Sequence, residues 1–224
     1  MPRIQRTDTG NYVYHVLNRA NARAQVFDTD EDYACFESIL EDGVEQFDMR
    51  LLAYSVMPNH WHLVLYPKND GDMSKFMGWV TNTHTRRWHV AKRTIGHGHL
   101  YQGRYKSFLC ETDDHFLILV RYVEQNPKKA NLAQKVEDWR WGSVWRRKYG
   151  TPEQKQILAE WPVEQPDDYL AFVNMLLSEE EDQEIERTTA KSIPFGSDSW
   201  REKMVEAFGL QQTLHGVGRP RNGG

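Results

Sequence analysis

Residues 49–66, Met49-Arg50-Leu51-Leu52-Ala53-Tyr54-Ser55-Val56-Met57-Pro58-Asn59-His60-Trp61-His62-Leu63-Val64-Leu65-Tyr66, hold two apolar strand-like runs separated by a Pro-Asn pair. The stretch predicts a β-hairpin with strands over 49–57 and 60–66. In the second strand His60 and His62 stand two residues apart, so both imidazoles leave one face while Trp61, Leu63 and Leu65 leave the other.

Upstream, Tyr12–Asn18 alternates like a strand, and Tyr33, Phe36, Leu40, Val44 and Phe47 mark a helix over Asp30–Phe47. Thr29 with Asp32 resembles a capping box at its start. Downstream, Met73–Val90 reads as a helix, Leu100–Leu109 as a strand after the Gly96-His97-Gly98 turn, and Asp113–Asn126 as a helix that Pro127 ends. The order βαββαβα predicts an α+β fold, an antiparallel or mixed sheet of about four strands related to the ferredoxin-like layout. This core is expected over residues 1–150. An acidic helical appendage, with short helices near 167–177, 179–189 and 197–208, should occupy 151–210, and a flexible basic tail 211–224. There is no internal repeat.

With 224 residues, 39% of them hydrophobic, the chain can fill one good core and a small subdomain, which excludes a disordered or fibrous protein. No apolar run approaches the ~18 residues of a membrane span, and the start lacks an apolar signal segment, so a soluble, cytoplasmic protein without membrane contact is expected. Cys35 and Cys110 lack CxxC-like spacing, which argues against a disulfide framework or a cysteine zinc site; both are expected as buried thiols. The net charge of −4 conceals a strong division: −6 over residues 1–74, +9 over 75–150 and −7 over 151–224. The basic third also holds Trp79, Trp88, Trp139, Trp141 and Trp145, a mixture that suits phosphate contacts and base stacking. Core tryptophans behind a solvated helix face would look the same.

Co-facial His60 and His62 form half of a metal site, although paired histidines on a strand also serve as hydrogen-bonded structural residues. Tyr122 and Asn126, four apart on a predicted helix, share a face that could be aimed at them, the amide oxygen as a third ligand and the phenol as a nucleophile. Both could equally be ordinary helix residues. Taken together, the four suit phosphoryl transfer through a covalent phosphotyrosine, with a mixed nitrogen and oxygen site for Mg2+ or Mn2+, the imidazoles favouring Mn2+ or Zn2+. His97 and His99 read as turn residues, and His15, His84, His89, His115 and His215 as structural.

Met57-Pro58-Asn59-His60-Trp61-His62-Leu63-Val64 resembles the His-hydrophobe-His (HUH) motif of single-tyrosine transposases. Leu17-Asn18-Arg19, the segment Gly98 to Ser107, and Arg121-Tyr122-Val123-Glu124-Gln125-Asn126-Pro127 followed by Ala130 match as well. Together they resemble the REP-associated tyrosine transposases over residues 10–150, and more weakly through Trp139–Ser143, Ile193–Trp200 and Gly218–Arg221. The resemblance implies an HUH fold, His60 and His62 as metal ligands, Asn126 as the third ligand, Tyr122 as nucleophile and a divalent ion, Mg2+ or Mn2+, with no small-molecule cofactor. It also implies single-stranded DNA with hairpins, such as repetitive extragenic palindromes, as the partner, and action as a monomer or a homodimer. Arg86, Arg87, Arg104, Lys106, Lys128 and Lys129 fall in the basic third and are candidate phosphate contacts. Gly218-Arg219-Pro220-Arg221 resembles an AT-hook core, adding Arg219 and Arg221 as DNA-binding candidates. The alternatives are a non-catalytic DNA-binding regulator that recognises palindromic repeats, and a hydrolytic metal-dependent nuclease.

Overall fold

The computed structural model describes residues 6–96 and 98–214. His97, His215 and the tail carrying Arg219 and Arg221 lie outside the described residues. Strands β1 (Val13–Arg19), β2 (Arg50–Met57), β3 (His60–Tyr66) and β4 (Lys106–Cys110) form one antiparallel sheet in the order β2-β3-β1-β4. Helix α1 (Asp30–Phe47) joins β1 to β2 and α2 (Asp72–Ala91) joins β3 to β4, so β3 is inserted between β1 and β2, the split arrangement of ferredoxin-like folds. The α+β expectation holds. Among the described residues, no helix is long and apolar enough to cross a membrane.

The strand period divides the sheet into two unlike faces. Tyr14, Val16, Trp61, Leu63 and Leu65 pack with Phe36, Ile39 and Leu40 of α1 and Met73, Phe76 and Val80 of α2. On the other face Val13, Val64, Phe108 and Cys110 pack with Phe116, Leu119, Val120 and Val123 of α3 (Asp114–Lys129). Asp32 supports the start of α1, its carboxylate accepting the backbone N–H groups of Asp28 at 3.0 Å and Thr29 at 3.1 Å.

Several elements differ from the sequence expectation. The last strand is shorter, because Leu100–Tyr105 forms no continuous ladder with β1 and pairs only through an isolated Ala20–Tyr101 bridge just past its end. Tyr101 turns into the larger core, where its hydroxyl accepts from Trp61 Nε1 at 2.9 Å and reaches His84 Nδ1 at 2.6 Å. Helix α3 does not stop at Asn126 but continues through Pro127. Proline leaves the Val123 carbonyl without its usual donor, and the Asn126 side-chain amide takes that place at 3.3 Å, with a second bond to the Tyr122 carbonyl at 2.9 Å. Cys110 is buried as expected, whereas Cys35 is only half-buried. The tryptophans are mostly structural: Trp88 and Trp139 donate to the Val26 and Val56 carbonyls, and Trp141 stacks on Tyr33 with ring centroids 4.9 Å apart.

Six further helices complete the described chain: α4 (Ser143–Tyr149), α5 (Pro152–Lys155), α6 (Tyr169–Asn174), α7 (Glu179–Lys191), α8 (Asp198–Ala207) and α9 (Gln211–Leu214). The last replaces the start of the expected tail. Both sheet edges are covered from residues beyond 150. Ala159 N–H donates to Leu51 at the β2 edge, and Phe195 exchanges hydrogen bonds with Leu109 and Glu111 at the β4 edge.

Burial alone pushes the His15 imidazole down to about 3, and burial is also the main cause that pushes His84 to about 3, so both are neutral in the folded protein. An unfolded chain protonates histidine below about 6.5. It therefore binds protons that the folded chain refuses, and stability falls as pH drops from about 6.5 towards 3. Guanidinium titrations should give a lower midpoint at about pH 5 than at pH 7, with a smaller difference in His84→Gln; equal midpoints would contradict buried neutral histidines.

Candidate active site

His60 and His62 emerge on the α3 face of β3, directly opposite Arg19 and Leu17 of β1. Their rings lie 5.0 Å apart at 74°. His60 Nδ1 is 2.6 Å from Asn59 Oδ1. An amide oxygen only accepts, so Nδ1 carries the proton and Nε2 keeps its lone pair. His62 Nδ1 meets His15 Nε2 at 2.9 Å, and His62 Nε2 is buried with no partner among the described residues. When His62 Nδ1 donates to His15, both histidines of the pair present Nε2 lone pairs. Burial, with a contribution from Arg19, pushes His60 down to about 4, and burial together with His15, His60 and Arg19 holds His62 well below its usual value. Neutral imidazole is the form that ligates a metal.

Helix α3 brings Tyr122 to this pair. Its ring centroid lies 5.9 Å from that of His62 and 6.1 Å from that of His15, both edge-on. Asn126 stands one turn further along. Because its amide nitrogen is engaged with the two helix carbonyls, its Oδ1 is the atom left to accept, and it takes no hydrogen bond among the described residues. By their chemistry, two Nε2 lone pairs, one of them buried and orphaned, and a carbonyl-type oxygen would suit a divalent ion.

The acidic helix α7 lies against α3. Glu181 receives both bonds of Arg121 at 2.9 Å, and Asp182 pairs with Lys129, whose ammonium sits 4.9 Å from the centre of the Tyr122 ring. The Tyr122 phenol is pushed up to about 12, first by burial and then by Glu186 and Asp182, with Arg19 pulling the other way.

The other candidate contacts are scattered. Lys128 donates to the Asn174 carbonyl at 2.9 Å, so it and Lys129 are both engaged with the segments that pack on α3. Arg87 pairs with Asp42 of α1 at 3.4 Å, and Arg86 is exposed; both belong to α2, on the layer opposite the histidines. Arg104 and Lys106 instead join Arg6 and Lys191 around a cleft of about 390 Å³ beside β4, and no carboxylate lines it. Lys106 is paired with Leu17, which is itself paired with His62, so this cation lies two strands, about 10 Å, from the histidine.

Two residues of the site were not assigned to it from sequence. His15 looked structural, and only the β1–β3 register, which joins positions far apart in the chain, sets it against His62. Arg19 stood out only as part of a motif. A further group that could hold a metal, Glu111, Asp113 and His115, lies at the start of α3, about two turns from Tyr122. Its atoms have other partners: Asp113 caps α3 by accepting from His115 N–H at 2.9 Å, and Glu111 accepts from Ser197 N–H at 2.7 Å.

Residues 8–126 match the family of IS200-like transposases, and the chain belongs to that family. Its fold is shared with a REP-associated tyrosine transposase solved in complex with a REP hairpin, at 19% identity and a TM-score of 0.54, over 76% of this chain and 96% of that one. A Deinococcus radiodurans R1 protein with a provisional transposase assignment aligns at 22% identity and a TM-score of 0.39, over 62% of this chain and 98% of that one. No curated protein matches the chain.

Replacing His15 by Phe keeps a stacked ring and removes the acceptor that orients His62. Mn2+ affinity, measured by calorimetry, should fall about 10–100-fold; unchanged affinity would show that His62 needs no such support.

Proposed function

We propose that this chain cleaves and rejoins single-stranded DNA beside hairpin-forming repetitive extragenic palindromes, through a 5′-phosphotyrosine on Tyr122. The observation that carries the reading is the meeting of Tyr122 with His62 in one chain, at 5.9 Å between ring centroids, beside Nε2 atoms prepared to ligate. His60, His62 and Asn126 would hold Mg2+ or Mn2+, which when bound polarises a nonbridging phosphate oxygen. Tyr122 Oη attacks phosphorus in line and passes its proton to water, while the bond to the 3′ oxygen breaks and that oxygen takes a proton from water to leave as a hydroxyl. The ester keeps the energy of the cleaved phosphodiester, so a 3′ hydroxyl can later attack it and rejoin the strand without ATP.

Because phenol, histidines and amide come from the same chain, a monomer contains every element of the site, which supports action without a shared dimer interface. Arg6, Arg104, Lys106 and Lys191 give the departing strand a cationic path over the β4 edge, with Arg86, Arg87, Lys128 and Lys129 as further phosphate contacts. Arg219 and Arg221 add contacts from the tail. The hairpin-bound protein that shares the fold supports the same class of partner here.

Incubation with end-labelled hairpin oligonucleotides and Mg2+ or Mn2+, followed by denaturing gels before and after protease, tests the reading. A protease-sensitive 5′ adduct is expected from the wild type and from neither Tyr122→Phe nor His60→Ala/His62→Ala. Binding without any adduct would favour a DNA-binding regulator, and nicks that persist in Tyr122→Phe would favour hydrolysis. Removing charge from α7 probes its competition with DNA. Asp182→Asn/Glu186→Gln should tighten single-strand binding roughly two- to fivefold, as exposed charge pairs are worth about 0.2–1 kcal/mol, and equal affinity would rule out the competition.

A further inference from the structure

Arg19 is a cation beside His60 that no carboxylate pairs with among the described residues. It ends β1 directly opposite His60, and paired residues on an antiparallel ladder put their side chains on the same face, within about 5.5 Å at Cβ. Its Nε is buried without a hydrogen-bond partner, and its guanidinium enters no ion pair among the described residues. Arg121 and Arg146, which are buried, share an unpartnered Nε but differ in being held by carboxylates. Arg121 is held by Glu181, and Arg146 by Glu37 and Glu41. Arg19 is partly buried, and a guanidinium partly withdrawn from water with no carboxylate beside it is a ready partner for an arriving anion. Its backbone is fixed as well, the N–H donating to Asn18 Oδ1 and the carbonyl accepting from Gln102 N–H, each at 2.9 Å. Its place opposite His60 puts it on the sheet face that also carries His62.

We infer that Arg19 is a catalytic residue that grips a nonbridging oxygen of the scissile phosphate and neutralises the charge that builds on it during transfer. The inference rests on the tyrosine reading above. As the Tyr122 Oη–phosphorus bond forms, the bond from phosphorus to the 3′ oxygen breaks. The phenolic proton passes to water, and the leaving 3′ oxygen takes a proton from water to become a hydroxyl. Throughout, the two nonbridging oxygens carry the excess negative charge. A fixed guanidinium aimed at one of them is favoured more in the transition state than in the ground state, and it needs no reorganisation. Arginine suits this position better than lysine because its planar fork stays charged and can meet two oxygens at once.

A positioning role for Arg19 makes the opposite forecast for metal binding. Two like charges in one site repel, so removing the guanidinium should leave Mn2+ affinity equal or higher. If Arg19 merely braced β1 against His60, that affinity would fall.

The test is single-turnover adduct formation on hairpin-bearing single strands by wild type, Arg19→Ala and Arg19→Lys, with either an ordinary phosphate or a methylphosphonate at the scissile position. Arg19→Ala should slow adduct formation about 10²–10³-fold on phosphate, with DNA and Mn2+ binding retained and the melting temperature unchanged. Arg19→Lys should recover part of the loss. On methylphosphonate, where a methyl group replaces the charged oxygen, the ratio of wild type to Arg19→Ala should collapse towards one. An Arg19→Ala rate within about threefold of wild type on phosphate, well short of the loss expected for a transition-state donor, would overturn the proposal. So would the same ratio on both substrates, or weakened Mn2+ binding. Absence of a Tyr122 adduct in the wild type is a different failure, which removes the tyrosine reading and this proposal with it.

Discussion

The pairing of β1 with β3, Leu17 opposite His62 and Arg19 opposite His60, fixes which groups can meet in the site. A slip of one residue would turn the histidines into the core beneath α1 and α2 and send Trp61 and Leu63 towards α3. What prevents the slip is apolar burial on the far side. Tyr14, Val16, Trp61, Leu63 and Leu65 are all essentially inaccessible to solvent, and each large apolar side chain stabilises its buried position by about 1.5–3 kcal/mol. The hydrophobic core on one face therefore holds a polar constellation in register on the other, where His15, His62 and His60 gain little by packing. Polar bonds pin the end of β1: Asn18 Nδ2 donates to the Gly103 carbonyl at 3.3 Å and Arg19 accepts from Gln102. The glycine-containing segment before β4 thus has a structural task next to the site.

Helix α3 solves a second problem, presenting two side chains from a helix that contains a proline. Pro127 removes one backbone donor, and Asn126 supplies the replacement from its side chain. The same contacts orient the amide, with nitrogen towards the helix and oxygen away from it. A residue that repairs the helix in this way also leaves its oxygen free, as the proposed ligand role needs, and a Leu at this position would lose both properties. The buried side of α3 is anchored separately: Gln125 donates to the carbonyls of Val173 and Met175, and Glu124 accepts from Ser143 and Tyr169.

The parts of this arrangement that were legible in the sequence are those with a local period. Alternation in β3 separates the histidines from Trp61 and Leu63, and the 3.6-residue spacing in α1 locates its ends at Asp30 and Phe47. The four-residue interval from Tyr122 to Asn126 likewise places both on one helix face. His15 had no such signal, because its partner lies 47 residues away and is chosen by strand order. Charge counting failed for a related reason. It registers Arg121, Arg146 and Lys129 as part of a basic third, although each is paired with a carboxylate from another region. The cations left outside such pairs include Arg19 and those of the β4 cleft, two of which, Arg6 and Lys191, belong to the acidic thirds. Leu100–Tyr105 has strand-like residues, but the hydrogen bond between Tyr101 and buried His84 draws it out of the ladder.

Electrostatically, Tyr122 stands between opposed influences. Burial, Asp182 and Glu186 keep the phenol protonated at neutral pH, while Arg19 favours the phenolate. A tyrosine ionised at rest would put a buried negative charge beside Asp182 and Glu186, whose own charges oppose it. The balance shifts when a phosphodiester enters. Its backbone charge would compete with Asp182 for Lys129, and on the proposal above its nonbridging oxygens would meet Arg19. A phenol kept protonated by burial and by its own acidic helix, beside cations open to an anion, would be restrained until a strand is in place, a property that the bond-conserving reaction proposed above requires.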